Sequence, residues 1–521
     1  AYLVLVVRNK VIYLRRKFPM NKLTRTLALL AALAMTATAF VGCGDDKDSS
    51  SSSAATTVAE ESSEETSAAE ESSEETSAAE ESSEESSDSD ATASTELGAV
   101  SMPDTGDALT VLCWTDTDLN AMIPVVEKAY PDMAGKIKYQ NVGSAGQEAM
   151  EQYLTYFSSG SDVDLYICDA DWVLSYENND ENSAPLESVG ITADMYSDAY
   201  SYTVAMGTDQ NGVLKGASWQ AAAGGYCYRT DLAEQYLGVT TPEEMQAKVA
   251  DWDTFWATAK EVYDASGNKT AMADTLGGVW RAYSAGNRST AWVQDGKITA
   301  DNAKACLGDF INMAKTNYDA GYIGTVDQWT DDWYAIGQAD GAMADATMGY
   351  FFPSWSLAAG GQLESAEGGE GGSTYGKYAI TEGPTGWFWG GSWICVSPNC
   401  DNGTFAGQFI KAMTVDDATM KEYCESHSDF VNNKSVMKEV VEGGKNSNPL
   451  FKDGQDQFAV LYDSADAIDL DGIATQYDGT INTKLQDAVT AYCKGDLADE
   501  QACYDEFLDT VASAISDITV E

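Results

Sequence analysis

Leu109-Thr-Val-Leu-Cys113-Trp114 is a short apolar run, and Val163-Asp-Leu-Tyr-Ile-Cys168 repeats its character just before Asp169. Between them, Lys136-Ile-Lys-Tyr-Gln-Asn-Val142 alternates polar and apolar residues, as a half-exposed strand does. Leu119, Met122, Ile123, Val126 and Tyr130 recur at helical spacing and stop at Pro131, a helix breaker. Met150, Tyr153, Leu154 and Phe157 mark a second amphipathic helix. Strand, helix, strand, helix, strand predicts a parallel, doubly wound α/β sheet. Ligands of such sheets sit beyond the carboxyl ends of the strands. Two loops therefore stand out: Trp114-Thr-Asp116 and Asp169-Ala-Asp171-Trp172.

Upstream, the chain changes character twice. Residues 1–43 carry seven basic side chains and no acidic one. Met20 opens a plausible start, with Asn21, Lys22 and Arg25 as a basic region and Leu27 to Val41 as a short apolar run. The run is too short for a comfortable membrane span and fits a secretory signal. It ends in Phe40-Val-Gly-Cys43, which resembles a bacterial lipobox and makes Cys43 the candidate lipidation site. The alternative is a secretory signal with an incidental cysteine. Residues 1–19 read as an upstream extension. Three decapeptides then follow over 57–86, TVAEESSEET, SAAEESSEET and SAAEESSEES. They hold almost no large apolar side chain, so burial cannot offset the entropy of ordering them. The expectation for 43–107 is a disordered Ser/Glu-rich tether between a lipid and a folded module, with 108–521 as that module.

The 521 residues are 44% hydrophobic, enough for a large core, and carry 83 acidic against 30 basic residues. A net charge of −53 excludes nucleic-acid binding through clustered cations. The single histidine, His427, argues against His-based zinc sites and Ser-His-Asp hydrolysis. The nine cysteines after Cys43 contain no CxxC pair, and Cys113, Cys168 and Cys395 fall in strand-like runs. No phosphate loop or calcium loop is complete: GGEGG at 368–372 lacks its lysine, and Asp469-Leu-Asp471-Gly472 lacks the ligand spacing. No cofactor or metal is expected.

Further along come Gly216 to Leu232, Gly337 to Met343, read as a strand, and Pro384 to Ser392 with a helix behind it. Taken in order with the lipobox, the first strand and helix and the aspartates after the third strand, these segments resemble the extracellular solute-binding lipoproteins of carbohydrate-type ABC importers, the maltose-binding-protein-like family. The resemblance covers about 108–435 and is loose from 436 to 521. It implies a two-lobed, periplasmic-binding-protein-like α/β fold with a hinge and an interlobe ligand cleft. It implies crossings near Gly224, Pro384 and Val431, hence one lobe of about 108–223 and 384–430 and another of about 224–383 and 431–521. It also implies a non-enzymatic, monomeric receptor outside the cell, held to the membrane by its lipid, that hands a sugar to ABC permease subunits.

Sugars stack their C–H faces on aromatic rings and offer hydroxyls to carboxylates and amides. All 13 tryptophans lie in the folded part. Trp252 and Trp256 sit on a helical stripe and read as core, as do Trp292 and Trp393. Trp114, Trp172 and Trp219 match the family's cleft positions, with Gln220 beside them. Trp280 reads as a Gly-flanked loop residue. Trp329 sits in a segment, Asp327 to Trp333, that is either a cleft wall or a helix start. Trp355 and Trp389 lie in loops, and Trp389 is the leading choice. Asp116 and Asp171 are candidate hydroxyl acceptors, with capping or turn formation as their competing role. Two other readings stay open: an extracellular glycosidase with an Asp/Glu pair, and a receptor for a peptide or polyamine.

Overall fold

The computed structural model describes residues 2–7, 10–15, 96–143, 146–339 and 346–521. The chain divides into two units, 1–89 and 90–521. In the first, β1 (Tyr2–Val7) pairs antiparallel with β2 (Lys10–Arg15). The signal run, Cys43 and the decapeptides lie outside the described residues. Among the described residues no helix is long and apolar enough to cross a membrane.

The second unit contains two five-stranded sheets. The first runs in the order β4 (Ile137–Asn141), β3 (Leu109–Cys113), β5 (Leu165–Asp169), β13 (Ser392–Val396), β6 (Gly216–Ser218). β4, β3 and β5 are parallel, and helices Thr117–Ala129 and Gly146–Ser158 make the connections. β3 and β5 are almost entirely buried, as central strands covered on both faces must be. β4 is the exposed edge and carries Lys138 and Gln140 there. The sheet is mixed rather than all-parallel, because β13 returns from far along the chain and runs antiparallel to both of its neighbours, β5 and β6.

The second sheet runs β11 (Tyr378–Thr381), β7 (Ala223–Arg229), β10 (Ala346–Pro353), β8 (Thr270–Ala273), with β12 (Trp387–Phe388) extending the β11 edge against β7. Tyr226, Tyr228 and Phe351 face one core, and Cys227, Tyr350, Phe352 and Ile380 face the other. A small parallel pair, β9 (Lys297–Ile298) with β14 (Thr519–Val520), ties the carboxyl end down. Helices Asp478–Cys493 and Glu500–Ala514 belong to the core of Tyr226 and Phe351, and helix Gln457–Ala465 to that of Cys227 and Tyr350.

The chain passes between the sheets at 219–222 and at 389–391. Segment 430–432 joins them: the Ala221 N–H donates to the Phe430 carbonyl at 2.9 Å and the Asn432 N–H to the Trp219 carbonyl at 2.9 Å. The passages therefore differ slightly from the expected Gly224 and Pro384. Gly224 already pairs with Trp387 inside β7, and Pro384 precedes β12. Gly390 and Gly391 turn the second passage at φ 69° and 96°, angles that a Cβ disfavours. Gly337 also departs from expectation. It belongs to helix Asp331–Gln338, the strand begins at Ala346, and 340–345 lie outside the described residues. All nine described cysteines are free and buried.

Candidate functional site

The carboxyl end of β5 and the second passage meet, since Ser392 pairs with Asp169 and the Ala170 N–H donates to the Gly391 carbonyl at 3.2 Å. The turn after β5 is built by Asp169 itself, whose Oδ1 accepts the Asp171 N–H at 2.8 Å. That turn aims Asp171 at the second lobe. There, Arg281 of helix Leu276–Asn287 reaches back and donates from Nη1 to Oδ1 at 2.9 Å and from Nη2 to Oδ2 at 2.7 Å. This fork is the planar, two-bond match of guanidinium to carboxylate. Both side chains keep partial access to solvent, 38% for Asp171 and 21% for Arg281.

The charges differ along this turn. Burial and then the neighbouring Asp171 charge push the Asp169 carboxyl well up. Burial also acts on Asp171, but the Arg281 charge and hydrogen bonds outweigh it and hold that carboxyl below its ordinary value. Two adjacent aspartates are thus split, one prone to hold its proton and one ionised.

An aromatic group adjoins the pair. The Arg281 guanidinium lies 5.3 Å from the centre of the Trp389 ring, a cation–π distance. Trp389 meets Trp329 edge-on at 5.5 Å and Trp355 at 6.0 Å, and Trp329 stacks on Trp355 at 6.4 Å with 10° between planes. The Trp355 Nε1–H donates to the Trp389 carbonyl at 2.7 Å, which fixes both loops. Trp329 takes a left-handed φ of 64° immediately before the Thr330 cap, so it escapes the helix and is 51% exposed. Of the two readings of its segment, the helix start is the one the fold displays. Beneath it, Trp333 donates from Nε1 to Asp274 Oδ2 at 2.7 Å, and burial pushes that carboxyl up to about 6.

The other expected residues are distributed unevenly. Trp114 and Trp172 pack edge-on at 5.7 Å above Tyr153, on the same loops as Asp116 and Asp171. Asp116 occupies the helix N-cap position without a side-chain cap bond and accepts the Tyr139 hydroxyl at 3.4 Å. Gln220 donates to Asp429 at 3.4 Å inside the passage strands and is buried. Two expectations need correction. Trp219 is fully buried, because its backbone pairs with Asn432 and its ring turns into the core. Trp280 is fully buried against Phe310, Tyr283 and Trp292, because 276–287 is a helix rather than a loop. One residue along that helix is a turn of about 100°, so Trp280 faces the core while Arg281 faces Asp171. Arg281 and Asp274 were missed in the sequence; the signal was the Thr275 cap that starts the helix. Trp252 and Trp256 are half-buried, and Trp292 and Trp393 are buried.

Among the described residues no group of His, Cys, Asp and Glu is arranged to hold a metal ion. The arrangement suits reversible capture: flat rings for apolar faces and a forked ion pair for hydroxyls.

The family profile described as "Bacterial extracellular solute-binding protein" matches residues 121–453. A comparison with curated proteins gave no match. Solved structures align across nearly their full length. An extracellular solute-binding protein of family 1 shares 20% identity over 78% of this chain and 100% of its own, with a TM-score of 0.65. The ABC-transporter-associated binding protein from B. animalis subsp. lactis, in complex with β-1,6-galactobiose, shares 17% over 80% and 99%, with a TM-score of 0.58. The galacto-N-biose/lacto-N-biose I-binding protein from Bifidobacterium longum, in complex with lacto-N-biose, shares 15% over 80% and 100%, with a TM-score of 0.59. At these identities the likeness establishes the fold.

Proposed function

The chain belongs to the bacterial extracellular solute-binding protein family, and from that premise we propose that it captures a carbohydrate, an oligosaccharide, outside the cell and delivers it to ABC permease subunits without chemical change. The observation that carries this reading is the tryptophan group of Trp329, Trp355 and Trp389 set against the cross-lobe Asp171–Arg281 pair. Rings supply area for sugar faces, and the paired charges supply both donors and acceptors for hydroxyls. Two structural neighbours carry disaccharides, which supports the class. Trp114, Trp172 and Asp116 complete the proposed site from the first lobe. Trp219, Gln220 and Trp280 support it from behind.

In this reading residues 1–42 are an extension and signal peptide, Cys43 carries the lipid, 43–107 is the tether and 108–521 is a monomeric receptor. Its lobes exchange strands at 219–222, 389–391 and 430–432, and closure about these strands traps ligand. Changing Cys43 to Ala is expected to release the protein from the membrane fraction; retention there counts against the anchor.

Calorimetric titration of the full chain with a panel of oligosaccharides, peptides and polyamines tests the main reading. Saturable heat with an oligosaccharide and none with the others supports it, and the reverse pattern overturns it. A second reading is a glycosidase, for which Asp169 and Asp171, adjacent in one turn, are the carboxylates at hand. Release of shorter sugars during the same titrations decides for that reading.

A further inference from the structure

Behind the Asp171–Arg281 pair lies a small, partly open cavity of about 70 Å³ that no tryptophan lines. Its charged lining is Asp171, Arg281, Arg288 and Asp478, and Asn482 is among its neutral polar groups. Arg288 donates to the Ile473 carbonyl at 2.7 Å and to Asp478 at 2.6 Å, with its side chain only 6% exposed. Its Nε–H, and Asn482 Oδ1, are buried without a hydrogen-bond partner among the described residues. Unsatisfied groups of this kind are costly unless something else fills them. The two carboxylates and two guanidiniums cancel, so the cavity offers direction without net charge. An anion would meet Asp171 and Asp478, and a cation would meet the arginines. A neutral, hydroxyl-rich group suits both free atoms.

The cavity is also blind. A much larger open groove of about 1370 Å³ lies beyond it, and Leu174, Leu470, Ala474 and Thr475 line both. Residues lining two spaces stand between them, so segment 466–478 is a wall. It is fastened to both lobes. Gln476 accepts from Asn178 at 2.9 Å in the first lobe, and Ile473 and Asp478 hold Arg288 in the second. Gly479 then packs so closely on the Asp171 carbonyl that a Cβ there would clash. The wall lies after residue 453, where the family match ends.

We propose that segment 466–478 closes one end of the ligand cleft, so that the protein binds a neutral saccharide by its chain end, whose last hydroxyls satisfy Arg288 Nε and Asn482 Oδ1. The chain enters over Trp329, and its remaining units lie outward from there. This rests on the carbohydrate reading, and the experiment separates the two. The wild-type full chain is titrated with β-1,6-galactobiose, lacto-N-biose, maltose and longer members of each series. Each sugar is used free, with a bulky aromatic tag at the reducing end, or with a bulky cap at the other end. A blind cleft predicts that blocking one end weakens binding by about a hundredfold, while blocking the other changes it by less than about threefold. Leu470→Ala with Ala474→Gly opens the wall and restores about tenfold of that loss. Asn482→Ala, with a melting curve to verify folding, weakens the free sugar by about tenfold. Equal effects of the two blocks, whether both tolerated or both excluded, overturn the proposal while leaving carbohydrate binding intact. Absence of binding to any free sugar overturns the carbohydrate reading, and this inference with it.

Discussion

The two ends of the proposed cleft are built from opposite materials. At the outer end Trp329, Trp355 and Trp389 rest on one another with few polar partners. At the inner end four charged side chains cancel in pairs around a cavity with two unmet hydrogen-bonding atoms. Rings contribute contact area and tolerate a range of sugars. Forked ion pairs contribute direction, and reject a group that leaves their atoms unpaired. Under the proposed reading, affinity resides mainly outside and selectivity mainly inside.

The ends also differ in their response to acid. Asp274, under the outer rings, has its carboxyl raised by burial to about 6. A raised carboxylate contributes stability that is complete below its unfolded value of about 4 and lost as pH rises through about 6. Asp171, at the inner end, is held below its ordinary value once Arg281 outweighs burial. Its contribution is present above about pH 4 and lost as pH falls further. Neutral pH therefore favours the Asp171–Arg281 pair, and mild acid the Asp274 site.

Four substitutions can break or sharpen this contrast. The largest effect is expected from Trp280→Ala, a control belonging to neither end, at about 3–5 kcal/mol of stability in denaturant melts. Weaker sugar binding without lost stability would mean that the division between core and cleft rings is misdrawn. Trp389→Ala follows, with about 2 kcal/mol, roughly thirtyfold, lost from oligosaccharide affinity by calorimetry. An unchanged dissociation constant there removes the outer end from the site. Asp274→Asn should add about 1–2 kcal/mol at about pH 8 relative to wild type and nothing at about pH 4, in denaturation at the two pH values. A gain that is equal at both contradicts the assigned titration. Trp329→Ala is the mildest, about 1 kcal/mol or less of affinity, because half of the ring already faces solvent. An effect exceeding that of Trp389→Ala would invert the order of the two rings.

The strand–helix alternation from Leu109 to Asp169 was legible because hydrophobic period reports directly on element type. The antiparallel entry of β13 was not, since it depends on where a distant segment returns. Asp171, Trp329, Trp355 and Trp389 could be nominated because they sit on loops. Arg281 could not, because a buried tryptophan precedes it and the helix that turns the two apart was read as a loop. The wall at 466–478 has no period at all, and its role appears only when both cavities are seen to share its side chains.

The nine enclosed thiols carry a practical consequence. A protein that works outside the cytoplasm meets oxidants, and an unfolded copy exposes every one of those sulfurs to wrong pairing. Among the described residues concealment, rather than cross-linking, protects the thiols, so their safety depends on how rarely the fold opens. Each thiol is thereby a silent sentinel. A reagent that colours free sulfhydryls counts the opening events, with the folded population dark and the unfolded one reporting itself.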